Sequence, residues 1–266
     1  MQKSSKKAQK MVQAMPQLSI IITTFQRNEK LKRALHSIFV EQPSNKVEVI
    51  VIDDCPLMSG ASIVESYDNV IYLCKRGHLS GPANSRNMGI QFAQASHIVF
   101  LDDDDFLLED SLPSYIDAAE RNVSFFYGNH AILKNDELSI FDASKKRPED
   151  LLIQNFLPVG SFMFRKSSLK SVFDPKMKSH EDWEFLLSNI DFSDLEHTNK
   201  ALVCIDKGND VDEDRKSIRV RHRYFADYMC VYARHPAPNL SKFRAMVLQG
   251  FGISVPPEAL FFDQAE

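Results

Sequence analysis

The chain of 266 residues is 44% hydrophobic and 26% charged, a composition typical of a soluble globular protein of one large or two small domains. Its formal net charge of −4 gives no reason to expect a nucleic-acid partner, and no apolar run reaches the roughly 20 residues that a membrane-spanning helix needs. The four cysteines are scattered without paired spacing, which argues against a zinc site or disulfide framework and favours a reducing cytoplasm.

The first half of the chain alternates predicted strands with predicted helices. Apolar, β-branched runs indicate buried strands, and apolar residues at helical spacing indicate the helices between them. This alternation is typical of an α/β fold, a mostly parallel sheet with helices on both faces. The strands are predicted at 18–24, 47–52, 70–74 and 97–101, and the helices at 27–40, 59–67 and 81–92.

The second half is less regular, and its composition shifts toward charged residues after position 206. Both features favour short elements separated by polar loops. Strands are predicted at 123–127 and 162–164, helices at 112–120, 181–190, 217–232 and 240–249, and loops at 142–149 and 208–216.

These patterns divide the chain into four predicted parts. Residues 1–16 carry lysines but no apolar core and are predicted to form a disordered basic tail rather than a secretory signal. Residues 17–110 are predicted to be the nucleotide-binding half of one domain, and residues 111–205 its less regular second half. The segment 206–266 is predicted to be a mainly helical C-terminal extension.

Four aspartates in a row, Asp102 to Asp105, follow the strand predicted at 97–101. Two like charges about 4 Å apart repel by roughly 1 kcal/mol even in water, and by more near a protein surface. A divalent cation relieves this repulsion, and Mg²⁺ and Mn²⁺ prefer such oxygen ligands. A solvated acidic turn is the alternative, because charge runs usually face water.

Two further predicted strands end in polar pairs, Thr23-Thr24 and Asp53-Asp54. In open α/β sheets, ligands bind outside the carboxyl ends of the strands. We therefore expect these pairs and the four aspartates to converge on one edge of the sheet. Neither the GxGxxG nor the GxxxxGK[ST] phosphate-binding motif is present, which excludes the two commonest nucleotide-binding loops.

Five motifs, in this order, resemble the inverting glycosyltransferases of family 2. The resemblance covers roughly residues 18 to 190 and implies the GT-A fold, with a Rossmann-like nucleotide-binding sheet. Each motif alone is weak, but their shared order and spacing are specific. The motifs are Ser19–Arg27, Val49–Asp54, Gly81–Ile90, Phe100–Asp105 and His180–Phe185.

The resemblance implies donor-nucleotide contacts in the first four motifs. Asp53 and Asp54 match the pair that reads the base and ribose, although Cys55-Pro56 replaces the Gly-Ser that usually follows. A carboxylate suits the N–H of uracil or a ribose hydroxyl, and the guanidinium of Arg86 suits phosphate oxygens. The implied donor contacts are Thr24, Arg27, Asp53, Asp54, Arg86 and Asp102.

The resemblance also implies which residues bind the metal ion and which residue is the catalytic base. Asp104 and Asp105 match the ligands of a Mn²⁺ or Mg²⁺ that bridges the donor diphosphate, whereas Asp103 occupies the variable position and is predicted to be expendable. Asp182 is predicted to be the catalytic base and Glu181 the second choice, because a carboxylate in reach of the acceptor hydroxyl can take its proton. An acidic pair that only favours a helix N-terminus is the alternative.

Weaker assignments concern the acceptor and the C-terminal part. Trp183 and Ser161 are predicted acceptor contacts, with a core position as the alternative for Trp183. His222 and His235 are weak candidates for a further metal ligand. A basic cluster at 215–223 is predicted to touch a diphosphate or the anionic head group of a lipid-linked acceptor, with a solvated helix face as the alternative.

The resemblance therefore implies a metal-dependent inverting glycosyltransferase with a nucleotide-sugar donor, expected to be UDP-linked, and a hydroxyl of a glycan or lipid-linked glycan as acceptor. A cytoplasmic role in bacterial surface polysaccharide synthesis is expected, and a peripheral contact at the inner membrane face stays open. One alternative is a sugar-phosphate nucleotidyltransferase, against which the glycine-free loop Ile22–Phe25 argues. The other is a non-catalytic nucleotide-sugar-binding protein, against which the intact Asp182 argues.

Overall fold

The structure is a computed structural model that describes residues 15–41, 45–76, 81–208 and 218–260, with no side chains for 218–224. Almost all of the predicted basic tail and of the predicted loop 208–216 lies outside these ranges. The strands are β1 (Leu18–Thr24), β2 (Val47–Asp53), β3 (Val70–Cys74), β4 (His97–Asp102), β5 (Phe106–Leu107), β6 (Phe125–Lys134), β7 (Glu137–Phe141), β8 (Phe162–Arg165) and β9 (Glu196–Asp206). The α-helices are α1 (Asn28–Phe39), α2 (Ala61–Val64), α3 (Pro82–Phe92), α4 (Ser111–Glu120), α5 (Glu181–Asn189), α6 (Ile218–Arg234) and α7 (Ser241–Gly250).

The described strands form one sheet that runs through both predicted halves of the domain. Its order is β3-β2-β1-β4-β8-β6-β9-β5, with β7 paired to β6. Strands β1 to β4 are mutually parallel, as predicted. From β8 onward the sheet is mixed, because β8 runs antiparallel to both β4 and β6, whereas β9 runs parallel to β6.

Apolar side chains alternate between the two faces of the central strands, so both faces are covered. Ile20 and Ile22 of β1 belong to an apolar cluster that includes residues of helices α1 and α4, whereas Ile21 belongs to a second cluster that includes residues of helices α3, α5, α6 and α7. The predicted layering, with helices on both faces, is confirmed. None of the helices that the structure describes is long and apolar enough to cross a membrane.

The described strands β5, β7 and β9 were not predicted, and two predicted segments differ in the structure. Strand β9 begins with the polar run Glu196–Lys200, and strand β7 is almost wholly exposed. The start of β9 lacks the apolar alternation of a half-buried strand, whereas β7 alternates polar and apolar residues but is only five residues long and pairs with β6 alone. The predicted helix at 59–67 contracts to the single turn α2, and the predicted loop 142–149 contains short 3-10 helices at Ala143–Lys145 and Pro148–Leu152.

Helix α3 crosses strand β1 at Gly89, where the two backbones approach closely. A Cβ at Gly89 would lie 2.3 Å from Cγ2 of Ile21, which is fully buried. We therefore expect Gly89→Ala to lower the free energy of unfolding by about 1–3 kcal/mol through overpacking, measured by urea denaturation. Gly250→Ala is the matched control, because a Cβ there meets no atom within 4 Å. Equal losses in the two variants would contradict the close approach.

Candidate active site

The carboxyl ends of the central strands meet at one edge of the sheet. In the register, Thr24 of β1 lies beside Asp53 of β2, and Thr23 lies beside Asp102 of β4. A cleft of about 510 Å³ opens at this edge. Most of the predicted donor contacts, together with one member of each predicted metal and catalytic pair, line it: Thr24, Arg27, Asp54, Arg86, Asp102, Asp104 and Glu181.

Three of the four consecutive aspartates form a group with the geometry of a cation site. One carboxylate oxygen from each of Asp102, Asp104 and Asp105 lies within 4.8 Å of the others. Burial, followed by repulsion from Asp102 and Asp104, raises the pKa of Asp105 to about 8. The charged form of Asp105 is therefore disfavoured without a cation nearby, and a set of carboxylate oxygens suits Mg²⁺ or Mn²⁺.

Asp103 is not expendable in this fold, which corrects its assignment to a variable position. Its carboxylate is buried and accepts hydrogen bonds from the Thr24 hydroxyl at 2.8 Å and the Phe25 N–H at 3.4 Å. Nη1 of Arg27 lies 3.0 Å from Oδ1 of Asp103 and 2.9 Å from Oδ2 of Asp104. Asp103 therefore ties the loop after β1 to the aspartate run, and it positions Arg27 over the cleft.

The two aspartates that end β2 have different surroundings. Asp53 is fully buried, and its carboxylate accepts hydrogen bonds from the N–H groups of Cys55 and Gly60, both at 2.8 Å, and from the Tyr72 hydroxyl at 2.6 Å. Its assignment as a nucleotide contact stays a prediction that this geometry does not support, because both of its oxygens hold the protein's own loop and it does not line the cleft.

Asp54, by contrast, does line the cleft. Its Oδ1 lies 3.0 Å from Nζ of Lys75, and its Oδ2 accepts the Gly81 N–H at 2.5 Å. Lys75 also donates to the Ser85 hydroxyl at 2.9 Å, so the ends of β2 and β3 are joined to the start of helix α3. Lys75 was missed in the sequence, although its position directly after a parallel strand places it at the ligand-binding edge.

A buried arginine joins the aspartate run to the start of helix α5. Nη2 of Arg86 lies 2.7 Å from Asp102, and its Nη1 lies 2.9 Å from Glu181. Burial alone would lower the pKa of this guanidinium, but the two carboxylates raise it above its usual value. The ion pair occupies Glu181, so this residue is less suited than Asp182 to accept a proton from a substrate.

Asp182 lies beside this ion pair and faces away from the donor edge. Its Oδ1 accepts the Trp183 N–H at 2.8 Å, and its Oδ2 lies 3.3 Å from Nδ2 of Asn155. Burial, followed by the charge of Glu181, raises the pKa of Asp182 to about 6. Asp182 lines two further clefts beyond the first, which also share Asn155 and Lys207.

Both predicted acceptor contacts are core residues, so their assignment stays a prediction that their burial does not support. Trp183 is completely buried, and its indole N–H donates to the Leu151 carbonyl at 2.7 Å. Ser161 is also completely buried, and its hydroxyl donates to the Pro158 carbonyl at 2.8 Å. Neither side chain has surface left for a sugar, because the aromatic ring and the Gly-Ser turn are both needed for packing.

His235 does not extend the group of possible metal ligands that the described residues form. Nε2 of His235 lies 3.8 Å from Oε1 of Glu184, and His235 is not part of the ligand group that the described residues form. The side chain of His222, like the basic cluster at 215–223, lies outside the described residues. The candidate site therefore includes neither these histidines as metal ligands nor the basic cluster as an anion contact.

Sequence reasoning missed Asn155 and Lys207, which flank the candidate base. Asn155 comes from a segment without regular periodicity, and Lys207 follows β9, a strand that the sequence pattern did not predict. The apolar run Ala201–Ile205 ahead of Lys207 was the one signal available. Had it been interpreted as a strand, Lys207 would have fallen at a strand end.

The fold and the acidic edge define an α/β protein with a cleft at the carboxyl ends of its parallel strands, a candidate cation site and a half-buried carboxylate beside it. The model of the family "Glycosyl transferase family 2" matches residues 19–173. The chain therefore belongs to glycosyl transferase family 2, a family of glycosyltransferases. The resemblance recognised in the sequence is confirmed.

Curated relatives come from bacterial glycan synthesis. The chain is 30% identical over 168 residues to the GalNAc(5)-diNAcBac-PP-undecaprenol beta-1,3-glucosyltransferase of Campylobacter jejuni, covering 59% of this chain and 54% of that protein. It is 24% identical over 190 residues to the Escherichia coli UDP-Glc:alpha-D-GlcNAc-diphosphoundecaprenol beta-1,3-glucosyltransferase WfgD, covering 70% and 75% of the two chains. The match thus spans about half the length of the Campylobacter relative.

The solved structures that match show the same fold. The crystal structure of Staphylococcus aureus TarS 1-349 in complex with UDP-GlcNAc has a TM-score of 0.68 at 18% identity and covers 90% of this chain and 73% of that one. The predicted GT-A type sheet, with a helical part at the C-terminus, is therefore confirmed.

Proposed function

We propose that this protein is a metal-dependent inverting glycosyltransferase that moves a sugar from a UDP-linked donor to a hydroxyl of a glycan acceptor, with Asp182 as the base. The observation that carries the proposal is the position of Arg86. It joins Asp102 at the donor edge to Glu181, directly before Asp182. The candidate base therefore stands where the donor cleft meets the clefts beyond it.

The proposed reaction uses Asp182 to accept the proton of the acceptor hydroxyl. The oxygen attacks the anomeric carbon, the bond from that carbon to the diphosphate oxygen breaks, and the nucleoside diphosphate leaves with the electron pair. A carboxylate whose pKa is about 6 is ionised at neutral pH yet more basic than an ordinary aspartate. Asn155 and the Trp183 N–H hold its two oxygens in place.

Asp104 and Asp105, supported by Asp102, would hold the divalent cation. When bound, a Mg²⁺ or Mn²⁺ ion stabilises the negative charge of the departing diphosphate. Arg27 pairs with Asp104 in this structure and lies at the mouth of the same cleft. Its guanidinium is placed to exchange this contact for a phosphate oxygen.

The relatives support the choice of substrates. The Escherichia coli relative is described with a UDP-glucose donor and a diphosphoundecaprenol-linked acceptor, and the TarS structure contains UDP-GlcNAc. We therefore propose a UDP-hexose donor, a lipid-linked glycan acceptor, and a setting in bacterial surface polysaccharide synthesis at the cytoplasmic membrane face.

The test is an assay of UDP release from a panel of UDP-sugars, with and without Mn²⁺ and a set of lipid-linked acceptors. We expect acceptor-stimulated UDP release with one UDP-hexose. Release of pyrophosphate from UTP and a sugar 1-phosphate would support a nucleotidyltransferase instead. UDP binding without turnover across the whole panel would support a non-catalytic protein.

Asp104→Ala is expected to weaken the Mn²⁺-dependent part of UDP binding by at least about tenfold, because it removes a direct ligand from the cation group. Titration calorimetry with UDP, in Mn²⁺ and in EDTA, measures the effect. Asp117→Ala is the control, because Asp117 is an exposed residue of helix α4 that pairs with Arg121. UDP binding that is insensitive to both EDTA and Asp104→Ala would overturn the metal assignment.

A further inference from the structure

The second cleft, on the far side of Asp182 from the donor edge, has a volume of about 700 Å³. We propose that this cleft binds the acceptor, and that the acceptor is a sugar joined through phosphate to an apolar chain. This inference rests on the proposed function and adds the location and the chemistry of the acceptor site. Six of its residues carry the argument: His130, Phe141, Lys146, Asp182, Lys207 and Phe243.

Part of the wall of this cleft is apolar and open to solvent. Phe243 of helix α7 is 51% exposed and lies at the cleft together with Val247. On the opposite side Phe141 stacks with Phe156, with ring centroids 6.2 Å apart. An exposed aromatic ring at the mouth of a cleft stabilises a bound apolar group by removing both from water.

The same cleft contains two exposed lysines that form no salt bridge with the described residues. Arg147 is paired with Asp150 at 2.9 Å. Lys146 and Lys207, in contrast, line the cleft, are exposed and form no salt bridge within the described part of the chain. Lys207 is also close enough to Asp105 and His130 to affect their pKa values. An ammonium group in this position suits an anionic ligand next to the reacting centre.

His130 supplies a further polar group to the wall. Its ring stacks on Phe141 at 4.8 Å and is 94% buried, since 6% of its surface is exposed. Its Nδ1 has no hydrogen-bond partner among the described residues. Burial, followed by the charge of Lys207, lowers the pKa of His130 to about 4, so the ring is neutral. An unpartnered buried nitrogen is costly unless a ligand or water satisfies it.

These features match the parts of one amphipathic acceptor. The sugar hydroxyl would lie at Asp182 and Asn155, the phosphate at Lys207 and Lys146, and the apolar chain along Phe243 and out of the cleft. A neutral glycan would leave the two ammonium groups without a role. A soluble phosphate-bearing polymer would leave the exposed apolar wall uncovered.

The test is titration calorimetry with three probes: decyl phosphate below its critical micelle concentration, decyl glucoside and inorganic phosphate. We expect decyl phosphate to bind at least tenfold more tightly than either of the others, because only it contacts both the ammonium groups and the apolar wall. Equal binding of inorganic phosphate would overturn the apolar part of the proposal. Equal binding of decyl glucoside would overturn the phosphate part.

Variants in the two walls locate the binding. Lys207→Ala and Lys146→Ala are each expected to weaken decyl phosphate binding about tenfold, and Phe243→Ser about fivefold. Lys200→Ala and Phe92→Ser are matched controls: Lys200 is an exposed lysine of the same strand β9, and Phe92 is 47% exposed on helix α3, away from the cleft. Equal losses in the control variants would contradict the location.

UDP binding separates this inference from the proposed function. Lys146→Ala and Phe243→Ser should bind UDP and Mn²⁺ as the unmodified protein does, because neither residue lines the donor cleft. If the unmodified protein did not bind UDP, the proposed function would be refuted. Normal UDP binding with no effect of Lys207→Ala, Lys146→Ala or Phe243→Ser on decyl phosphate would refute the acceptor cleft alone.

Discussion

Replacing Asp182 with asparagine is expected to lower kcat by about 10²–10⁴-fold, the contribution typical of a positioned general base. The amide keeps the size of the side chain and can still contact Asn155, but it cannot take a proton from the acceptor. Because Asp182 lies outside the donor cleft, the affinity for UDP and Mn²⁺ should not change. Steady-state kinetics together with UDP calorimetry measure both quantities.

Asp191→Asn is the matched control for this variant, because Asp191 is an exposed aspartate just after the same helix α5, bonded only to Ser193. Its kcat should stay unchanged. A Glu181→Gln variant that loses more kcat than Asp182→Asn, with normal stability, would transfer the role of base to Glu181.

The pH dependence of kcat is a second test of Asp182 as the base. A base is active in its deprotonated form, so kcat should be low below the pKa of Asp182, rise through about pH 6 and level off above it. The residual rate of Asp182→Asn should lack this rise. An identical acidic limb in the two proteins would show that another group controls it.

Arg86→Ala is expected to lower the free energy of unfolding by about 3 kcal/mol, measured by urea denaturation. The change leaves Glu181 and Asp102 facing each other without the guanidinium that separates them. We place the loss at the lower end of the range for broken buried ion pairs, since the Asp102 side chain is 33% exposed.

Arg121→Ala is the control for this loss, because Arg121 also contacts two carboxylates, Asp117 and Glu196, but at the surface. Arg121→Ala should lower the free energy of unfolding by less than about 1 kcal/mol. Adding Glu181→Gln to Arg86→Ala should restore part of the stability, because it removes one of the uncompensated charges. Equal losses for Arg86→Ala and Arg121→Ala would contradict the buried bridge.

The donor edge was predictable because it depends on local pattern and one topological rule. Apolar β-branched runs identified strands β1 to β4, and parallel pairing then required Thr24, Asp54 and Asp102 to meet. The family motifs added Arg86 and Asp182, whose spacing in the chain gives no hint that they lie close together.

The acceptor side was not predictable in the same way. Strand β9 is polar over its first half, so Lys207 at its end had no recognised element to place it. Trp183 and Ser161 were assigned by position within a motif, and only packing shows that they are buried. Asp103 was predicted to be expendable because it occupies a variable position in the family pattern. Its contacts with Thr24 and Phe25 depend on the conformation of this loop, which the pattern does not give.

The most direct test of the account is the anomeric configuration of the product formed from an α-linked UDP-hexose and a lipid-linked acceptor. Asp182 as base beside the donor edge requires attack on the face of the anomeric carbon opposite the departing diphosphate. An inverting reaction with Asp182 as base therefore predicts a β-linked product, identified by the large coupling constant of its anomeric proton in NMR, that Asp182→Asn forms about 10²–10⁴-fold more slowly than the unmodified protein. An α-linked product, or equal product from both proteins, would contradict it.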